Sequence, residues 1–321
     1  MANCLVTKLK GSVNGDLPII DTVRIYARLK ENVDYSYRWF GVIFPSNDGT
    51  IQTKNGTIVD GSGASQGTTK TIKAGVEQQN TILSNTADCC ALIKSKYDMT
   101  RLELQRDLYM NIDDLSYVPL DSIDITNANY CTGNLYNINE NIKTIRIFKG
   151  LGDATVSKIT GDISRFTQLE HLVADIPLIT GRLNSTDLKY VAIESSNIKT
   201  SFNELNNLTS LTALYVDSSN LEQIENISNL SALKEITHLR LHGDKVSGKI
   251  EDLLEGLLNN RKTVNIEYLS LFETNVTLNN IWQYFLFENK VYTVEFGVNT
   301  IDLKNNGNVV AHYNGSTWTY A

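Results

Sequence analysis

The segment LKYVAIESSNI, Leu188–Ile198, places apolar residues at its first, fourth, sixth and last positions and an asparagine just before the end. The same order of residue types returns in LTALYVDSSNL, Leu211–Leu221, and in IEYLSLFETNV, Ile266–Val276. Looser copies of this pattern begin at the following residues: Leu120, Ile142, Leu169, Ile236 and Val291. The chain therefore repeats one short structural unit over much of its length.

This repetition predicts stacked parallel strands. The fourth and sixth residues of a copy, such as Val191 and Ile193, alternate with other residues, as on the buried face of a strand. Successive copies begin 19 to 30 residues apart, which is close to the period of about 20–29 residues that is typical of leucine-rich repeats. We therefore expect an α+β fold with a leucine-rich-repeat solenoid of about eight repeats and a parallel sheet on its concave face.

The asparagine of the pattern lies where the strand ends and the chain turns inside the stack. Its amide is expected to bond backbone groups of the neighbouring turns. Asparagine occupies this position at Asn129, Asn197, Asn220 and Asn275, and Lys245, Thr300, Leu178 and Leu151 replace it in other copies. We expect Asn275 to be buried, which argues against glycosylation at the N-x-[ST] sequence that it begins.

The segments between the copies are expected to form the convex side. A T/S-G-x-I/L step recurs at 131–135, 159–163, 179–183 and 246–250, where glycine allows a tight turn. Three further segments carry a helical spacing of apolar residues, namely SNLSALKEI at 228–236, IEDLLEGLLNNRK at 250–262 and TLNNIWQYFLFENK at 277–290. These three segments are predicted to be helices.

The two ends of the chain differ from the repeats, and the sequence predicts three domains. Residues 1–110 contain short alternating runs between Gly, Asn, Asp and Pro, which predicts a β-rich N-terminal domain. Residues 111–303 form the repeat region. At 304–321, the Asn306-Gly307 and Asn314-Gly315 pairs predict a β-hairpin cap. The residues expected to cover the end of the stack are Val309, Ala311, Trp318 and Tyr320.

Composition excludes several classes of function. The chain of 321 residues has a formal net charge of −7, which argues against nucleic acid as a partner. No apolar run is long enough to insert into a membrane, and the N-terminus does not have the pattern of a secretory signal.

The four cysteines, Cys4, Cys89, Cys90 and Cys131, lack metal-ligand spacing and are expected to be buried free thiols in a reducing compartment.

Three segments of this chain resemble virion-associated, fibre-type leucine-rich-repeat proteins of crAss-like and related phages of Bacteroides-type gut bacteria. They are MANCLVTKLKGSVNGD at 1–16, TIKAGVEQQNTILSNTADCCALIKSKYDMT at 71–100, and the repeats with their hairpin ending. The resemblance implies a phage structural protein, made in the bacterial cytoplasm and located in the virion. Its N-terminal module would dock to other virion proteins and its repeats would be displayed. Because fibres and head decorations are commonly symmetric, we expect a homo-oligomer that associates through residues 1–110.

The outward positions of the predicted strands form the candidate binding surface. Asp175, Glu194 and Asp217 occupy the same position in three successive copies, so their like charges would need a cation, a basic partner or His242 nearby. The other candidates are aromatic or basic: Phe148, Tyr190, Tyr215, His238, Arg240, His242, Tyr268 and Phe272. Such a face could bind a protein or a host-surface glycan, but aromatic residues and short acidic runs also occur on strand faces that bind nothing.

No catalytic constellation is found in the sequence, so we expect a protein that is not an enzyme. His238 and His242 are four residues apart, but HLRLH lies in a predicted strand and has no intervening glutamate. No metal ligands and no cofactor are predicted. The remaining alternative is a bacterial or prophage-encoded leucine-rich-repeat adaptor that binds another protein and is not part of a virion.

Overall fold

A computed structural model gives the fold of the chain. It describes residues 22–27, 39–54, 56–83, 90–94, 96–105, 108–126, 130–149, 157–260, 264–279, 281–282 and 290–321. The chain forms two compact units. Unit 1 comprises Met1–Ile142 and Arg146–Thr160, and unit 2 comprises Lys143–Ile145 and Gly161–Ala321. The domain boundaries expected at 110 and 303 stay predictions.

Unit 1 is built from short strands. They are β1 Thr22–Ala27, β2 Trp39–Ile43, β3 Gly49–Lys54, β4 Thr57–Asp60, β5 Thr69–Ile72, β6 Gln78–Leu83, β7 Cys90–Lys94, β8 Arg101–Leu104, β9 Leu108–Tyr109, β10 Ser122–Thr126 and β11 Thr132–Asn134. Two further strands, β12 Thr144–Phe148 and β13 Lys158–Asp162, have residues in both units. One sheet has the antiparallel order β5-β3-β7-β1-β9. In the other, β8 pairs in parallel with β10 and antiparallel with β2, followed by β6 and β4.

Unit 2 contains more strands and two α-helices. The strands are β14 His171–Asp175, β15 Ile179–Gly181, β16 Tyr190–Ile193, β17 Asn197–Ile198, β18 Ala213–Asp217, β19 Glu225–Asn226, β20 His238–His242, β21 Val246–Lys249, β22 Ile266–Phe272, β23 Asn275–Leu278, β24 Ile281–Trp282, β25 Tyr292–Phe296, β26 Ile301–Asn305, β27 Asn308–Tyr313 and β28 Trp318–Tyr320. The helices are α1 Phe202–Asn206 and α2 Ile250–Asn259. Single 3₁₀ turns cover Lys96–Asp98, Ile112–Leu115, Leu135–Asn137, Ile163–Arg165, Ser218–Asn220 and Ile227–Leu230.

The main sheet of unit 2 has a parallel and an antiparallel region. The parallel region is β14-β16-β18-β20-β22, and the antiparallel region is β25–β28, which joins it through β22. In the parallel region one register row aligns Leu172, Val191, Leu214, Leu239 and Leu269 across the five strands. All of these side chains are buried. The recurring aliphatic positions of the sequence thus share one interior row.

The expectation of an α+β leucine-rich-repeat solenoid of about eight repeats is nevertheless wrong. The fold is mostly β and its large sheet is mixed, because antiparallel strands flank the parallel ones. The copy that begins at Val291 forms β25, which runs antiparallel to β22 across a register irregularity. Tight Asn-Gly turns connect antiparallel neighbours, and in this part of the chain they determine the pairing more strongly than the spacing of apolar residues does.

The segments expected to form helices behind the sheet are mostly strands and 3₁₀ turns. Of the three predicted helices, only the one in 250–262 is found among the described residues, as α2. The 228–236 segment contains part of a 3₁₀ turn, and 281–282 is strand β24, while 283–289 lie outside the described residues. These connections are short and carry a turn glycine or asparagine, so they favour tight turns over helices of several turns.

The recurring T/S-G step forms a turn that packs on the turn before it. Gly181 has φ +111°, and a Cβ atom there would lie 2.1 Å from Oδ1 of Asp162. Asp162 uses that oxygen to accept a hydrogen bond from the backbone N of Ser164, at the start of a 3₁₀ turn. Gly248 and Asn226 repeat the arrangement, with a hypothetical Cβ–Oδ1 distance of 2.3 Å. Only glycine fits because both the dihedral angle and the space exclude a side chain.

The asparagines at the strand ends bond backbone carbonyls of the preceding turn, as the sequence predicts. Asn220 is fully buried, and its Nδ2 donates to the carbonyl oxygens of Ser196 and Ile198, each at 2.9 Å. Asn275 donates to Asp244 O at 2.7 Å, and Asn197 donates to Pro177 O. Asn275 and Asn197 are exposed, so the expectation that Asn275 is buried is wrong, and burial gives no argument against glycosylation there. Asn129 and Leu151 lie outside the described residues.

The antiparallel region is fixed by its turns and by contacts with α2. Asn306 and Gly307 adopt φ values of +49° and +80° between β26 and β27, as an Asn-Gly hairpin turn requires. Trp318 Nε1 donates to Glu255 Oε1 at 2.6 Å, and the Tyr320 hydroxyl donates to Glu251 Oε1 at 3.0 Å. Of the residues expected to cover the end of the stack, Ala311 is buried and Trp318 half-buried, whereas Val309 and Tyr320 are exposed.

Two cysteines can be placed. Cys90 and Cys131 are buried and not in disulfides, and burial raises the pKa of the Cys131 thiol to about 12. The Cys131 thiol is therefore unreactive at neutral pH. Cys4 and Cys89 lie outside the described residues.

Candidate functional site

The outward face of the parallel region carries the candidate residues. Along each strand, outward residues alternate with the buried row, and the pairing places them in three rows across the sheet. The first row contains His171, Tyr190, Ala213, His238 and Tyr268. The second contains Val173, Ala192, Tyr215, Arg240 and Ser270. In the third, His242 pairs with Asp217 and Phe272.

Five rings form what we call the aromatic patch, defined as His171, Tyr190, Tyr215, His238 and Tyr268. The ring centroids of Tyr190 and Tyr215 are 5.6 Å apart, and those of Tyr215 and Tyr268 are 6.4 Å apart. His171 stacks beside Tyr190 at 6.3 Å, and His238 stacks beside Tyr268 at 6.1 Å. The rings therefore make one continuous band across five strands.

Small side chains leave room for these rings. Ala213 is the register partner of Tyr190, and Ala192 is the partner of Tyr215. The three tyrosines are half-buried. Burial, followed by the neighbouring Tyr190 and Tyr268, raises the pKa of Tyr215, so its hydroxyl keeps its proton and remains a hydrogen-bond donor.

Charged residues beside the patch are paired with one another, and we call Glu194, Asp217, Arg240, His242 and Glu273 the paired row. Arg240 donates to Glu194 Oε1 at 2.9 Å. His242 contacts Asp217 Oδ2 at 2.8 Å through Nδ1 and Glu273 Oε2 at 3.1 Å through Nε2. The repulsion expected among stacked carboxylates is thus relieved from within the face, for Glu194 by Arg240 and for Asp217 by His242.

The Asp217 carboxylate has a second structural task. Its Oδ1 accepts a hydrogen bond from the backbone N of Ser219 at 2.8 Å and so caps the following 3₁₀ turn. Burial alone would raise the pKa of Asp217, but the hydrogen bonds from Ser219 and His242 outweigh burial and lower it. The Phe272 ring lies 5.0 Å from the His242 ring and holds it in place.

The structure brings together most of the residues that the sequence singles out. Asp175 ends β14 and belongs to the same face, but Phe148 lies on the part of β12 that belongs to unit 1. In unit 1, Arg146 of the same strand pairs with the buried Asp124 at 3.0 Å. The candidate surface is therefore the unit 2 face without Phe148.

Two residues of this surface are not among the candidates named from the sequence, His171 and Glu273. His171 extends the patch by one ring, and strand alternation already predicts that it faces outward from β14. Glu273 follows β22 with φ +54° and reaches His242 from outside the alternating pattern. Strand alternation cannot identify a residue whose orientation depends on a left-handed backbone.

The arrangement provides contact surface and hydrogen-bonding groups. His238 and His242 serve different neighbours, because His238 stacks on Tyr268 and its Nδ1 contacts Thr237 Oγ1 at 3.0 Å. Within the described ranges, no group of three or more His, Cys, Asp or Glu side chains is arranged to hold a metal ion.

Comparison with known proteins assigns no family to this chain. No protein-family model matches it, and no curated protein sequence matches it. Among the described residues, no helix is long and apolar enough to cross a membrane.

Proposed function

We propose that this protein is a non-enzymatic recognition protein of a phage virion, and that the outward face of unit 2 is its binding surface. The N-terminal part would attach it to other virion proteins. The face would then contact a molecule on the host surface.

The aromatic patch is the observation that carries this proposal. Tyrosine supplies a large, rigid contact area with a polar tip and loses little side-chain entropy on binding. Four half-buried rings on adjacent strands, with the exposed His171 beside them, form a continuous surface rather than scattered exposures. The ring positions are fixed by strand pairing, so the surface is organised before any ligand arrives.

A variant of the patch tests the binding role. The triple substitution Tyr190→Ala, Tyr215→Ala and Tyr268→Ala should weaken binding of the labelled protein to cells of Bacteroides-type gut bacteria by at least about tenfold. The matched control is Thr293→Ala, His312→Ala and Thr319→Ala on the outward face of the antiparallel region, which should bind like the wild type. Thermal unfolding would verify that both variants fold.

Two results would contradict the binding role. One is equal binding by the wild type and both triple variants. The other is a wild type that binds neither the cells nor purified phage particles.

The virion setting has a separate test. Mass spectrometry of purified particles should detect the protein at a fixed copy number relative to the major capsid protein. Its absence from particles, together with tyrosine-dependent binding to a bacterial protein, would instead identify a cellular adaptor.

Sedimentation of the purified full chain should show a homo-oligomer, and a monomer at micromolar concentration would contradict the expected self-association.

A further inference from the structure

We infer that the ligand of the aromatic patch is an uncharged surface polysaccharide, an inference that rests on the binding role proposed above. Three observations support it, namely the internal pairing of charges, the mixture of hydrogen-bonding groups beside the rings, and the size of the patch.

The paired row contains three carboxylates, one guanidinium and one imidazole, so it repels anionic ligands, and each carboxylate of the row already has a partner that a basic ligand would have to displace. Arg240 is bonded to Glu194, and His242 lies between the carboxylates of Asp217 and Glu273. Ligands such as nucleic acid, anionic polysaccharide or a basic peptide are recognised by an excess of the opposite charge. A face whose charges already satisfy each other favours a ligand that is polar but neutral.

The hydrogen-bonding groups next to the rings suit hydroxyls. The Arg240 guanidinium donates and the Glu194 and Asp217 carboxylates accept, while the tyrosine hydroxyls do both. A sugar hydroxyl also donates and accepts, so it can bridge a neighbouring donor and acceptor. The apolar C–H face of a sugar ring can pack against Tyr215 or its neighbours while its hydroxyls reach the paired row.

The patch has the area of an oligosaccharide contact. The whole outward face of the five parallel strands, at about 4.8 Å spacing and with about five residues along each strand, covers about 400 Å², and the patch is a part of this face. A standard protein–protein interface needs about 800 Å² on each partner. The patch does not continue into β25–β28, because the aromatic residues Phe296, Tyr313 and Trp318 are in register with the buried Ile301 on the opposite face.

Affinity electrophoresis with defined polysaccharides tests the inference. The neutral probes are α-mannan, dextran and β-1,3-glucan, and the anionic probes are heparin and alginate. At least one neutral probe should retard the full-length protein, and the retardation should persist when NaCl is raised from about 0.05 M to about 0.5 M. Tyr215→Ala should weaken that interaction by at least about tenfold, and the matched control Thr293→Ala should leave it unchanged.

A second variant guards against loss of folding. Tyr215→Phe retains the ring and should weaken binding only about threefold, through the lost hydroxyl. Retardation by the anionic probes alone, or retardation that Tyr215→Ala leaves unchanged, would overturn the inference. The inference would also be overturned if protease treatment of the cells abolished the tyrosine-dependent binding. That result would identify a protein ligand and leave the proposed binding role intact. If the wild type bound neither the cells nor any of the polysaccharides, both proposals would be overturned.

Discussion

The parallel and antiparallel regions of unit 2 belong to one sheet but are specified in different ways. In the parallel region, each turn packs against the turn before it, as Gly181 does against Asp162. In the antiparallel region, the Asn306-Gly307 turn lies in open space and fixes only the two strands that it joins. Register in the first region therefore depends on neighbouring turns, whereas in the second region each hairpin turn sets the register of the two strands that it joins.

The largest expected effect tests this dependence on neighbours. Gly181→Ala would strain a backbone at φ +111° and push its Cβ into Asp162 and the backbone N of Ile163. We expect a loss of about 3 kcal/mol in unfolding free energy, from the dihedral angle and the overpacking together. Gly307→Ala, with nothing within 4 Å of its Cβ, should lose only about 1 kcal/mol. Equal losses in urea unfolding would remove the distinction between the regions.

Asn220→Ala tests the contribution of hydrogen bonds between turns in the parallel region. Removal of this buried amide leaves the carbonyl oxygens of Ser196 and Ile198 without their donor, which should cost about 2 kcal/mol. Asn305→Ala in the antiparallel region removes one bond of 3.3 Å to Val291 O near the surface and should cost less than about 0.5 kcal/mol. Thermal unfolding of both variants measures the difference, and similar melting temperatures would contradict it.

A buried carboxyl in the connections of the parallel region gives a pH-dependent effect. Glu225 is 2% exposed, and burial is the largest cause of its raised pKa. A raised folded-state pKa means that its contribution to stability is complete below the unfolded value of 4.5 and is lost as the pH rises through the folded-state pKa. Glu225→Gln should therefore stabilise the fold at pH 7 by about 1 kcal/mol, and this gain should vanish below pH 4.5.

The control for this titration lies in the antiparallel region. Glu295 is half exposed and pairs with Lys304 at 2.6 Å, so Glu295→Gln should change stability by no more than about 0.5 kcal/mol at either pH. Urea unfolding at the two pH values makes the measurement. A Glu225→Gln variant that is less stable than the wild type at pH 7 would show that its carboxylate stabilises the fold.

The smallest effect concerns the attachment of the last strand to α2. Tyr320→Phe removes the hydroxyl that donates to Glu251 Oε1 and should cost about 0.5 kcal/mol, because the tyrosine is partly exposed. Hydrogen exchange should accelerate in β27 and β28 while β16 and β18 remain protected. Faster exchange throughout unit 2 would instead indicate that the two regions unfold as one cooperative element.

Much of the parallel region follows from the sequence because one pattern of residues returns in each copy. Aliphatic residues at fixed positions predict that Val191, Leu214 and Leu239 lie in one row, and the pairing aligns them. The T/S-G step and the strand-end asparagine also predict their own turn contacts. Each of these signals is contained within one copy of the pattern or between neighbours.

The wrong predictions have a common physical cause, which is that the spacing of apolar residues does not specify which strands pair or in which direction. The pattern beginning at Val291 resembles the other copies, but its strand runs antiparallel to β22 and begins a series of three hairpins. The helical spacing in 277–290 does not prevent β24 from pairing with β23. Apolar periodicity cannot distinguish these outcomes for short segments.

The candidate site shows the same division. Strand alternation identifies the outward tyrosines and histidines, because facing is a property of each strand alone. It does not predict that Arg240 reaches past β18 to Glu194, 46 residues earlier in the chain. The pairing of charges on this face depends on such long-range contacts, whereas three carboxylates in one sequence position suggest an unpaired acidic column.

The length of β28 has a consequence for the behaviour of the protein at high concentration. This strand is at the edge of its sheet and spans only Trp318–Tyr320. A long unpaired edge offers a template on which a strand of another molecule can add, and such addition leads to aggregation. Because β28 itself presents only three residues, a second chain would find few backbone groups of this strand to pair with, and we expect strand addition at β28 to be weak.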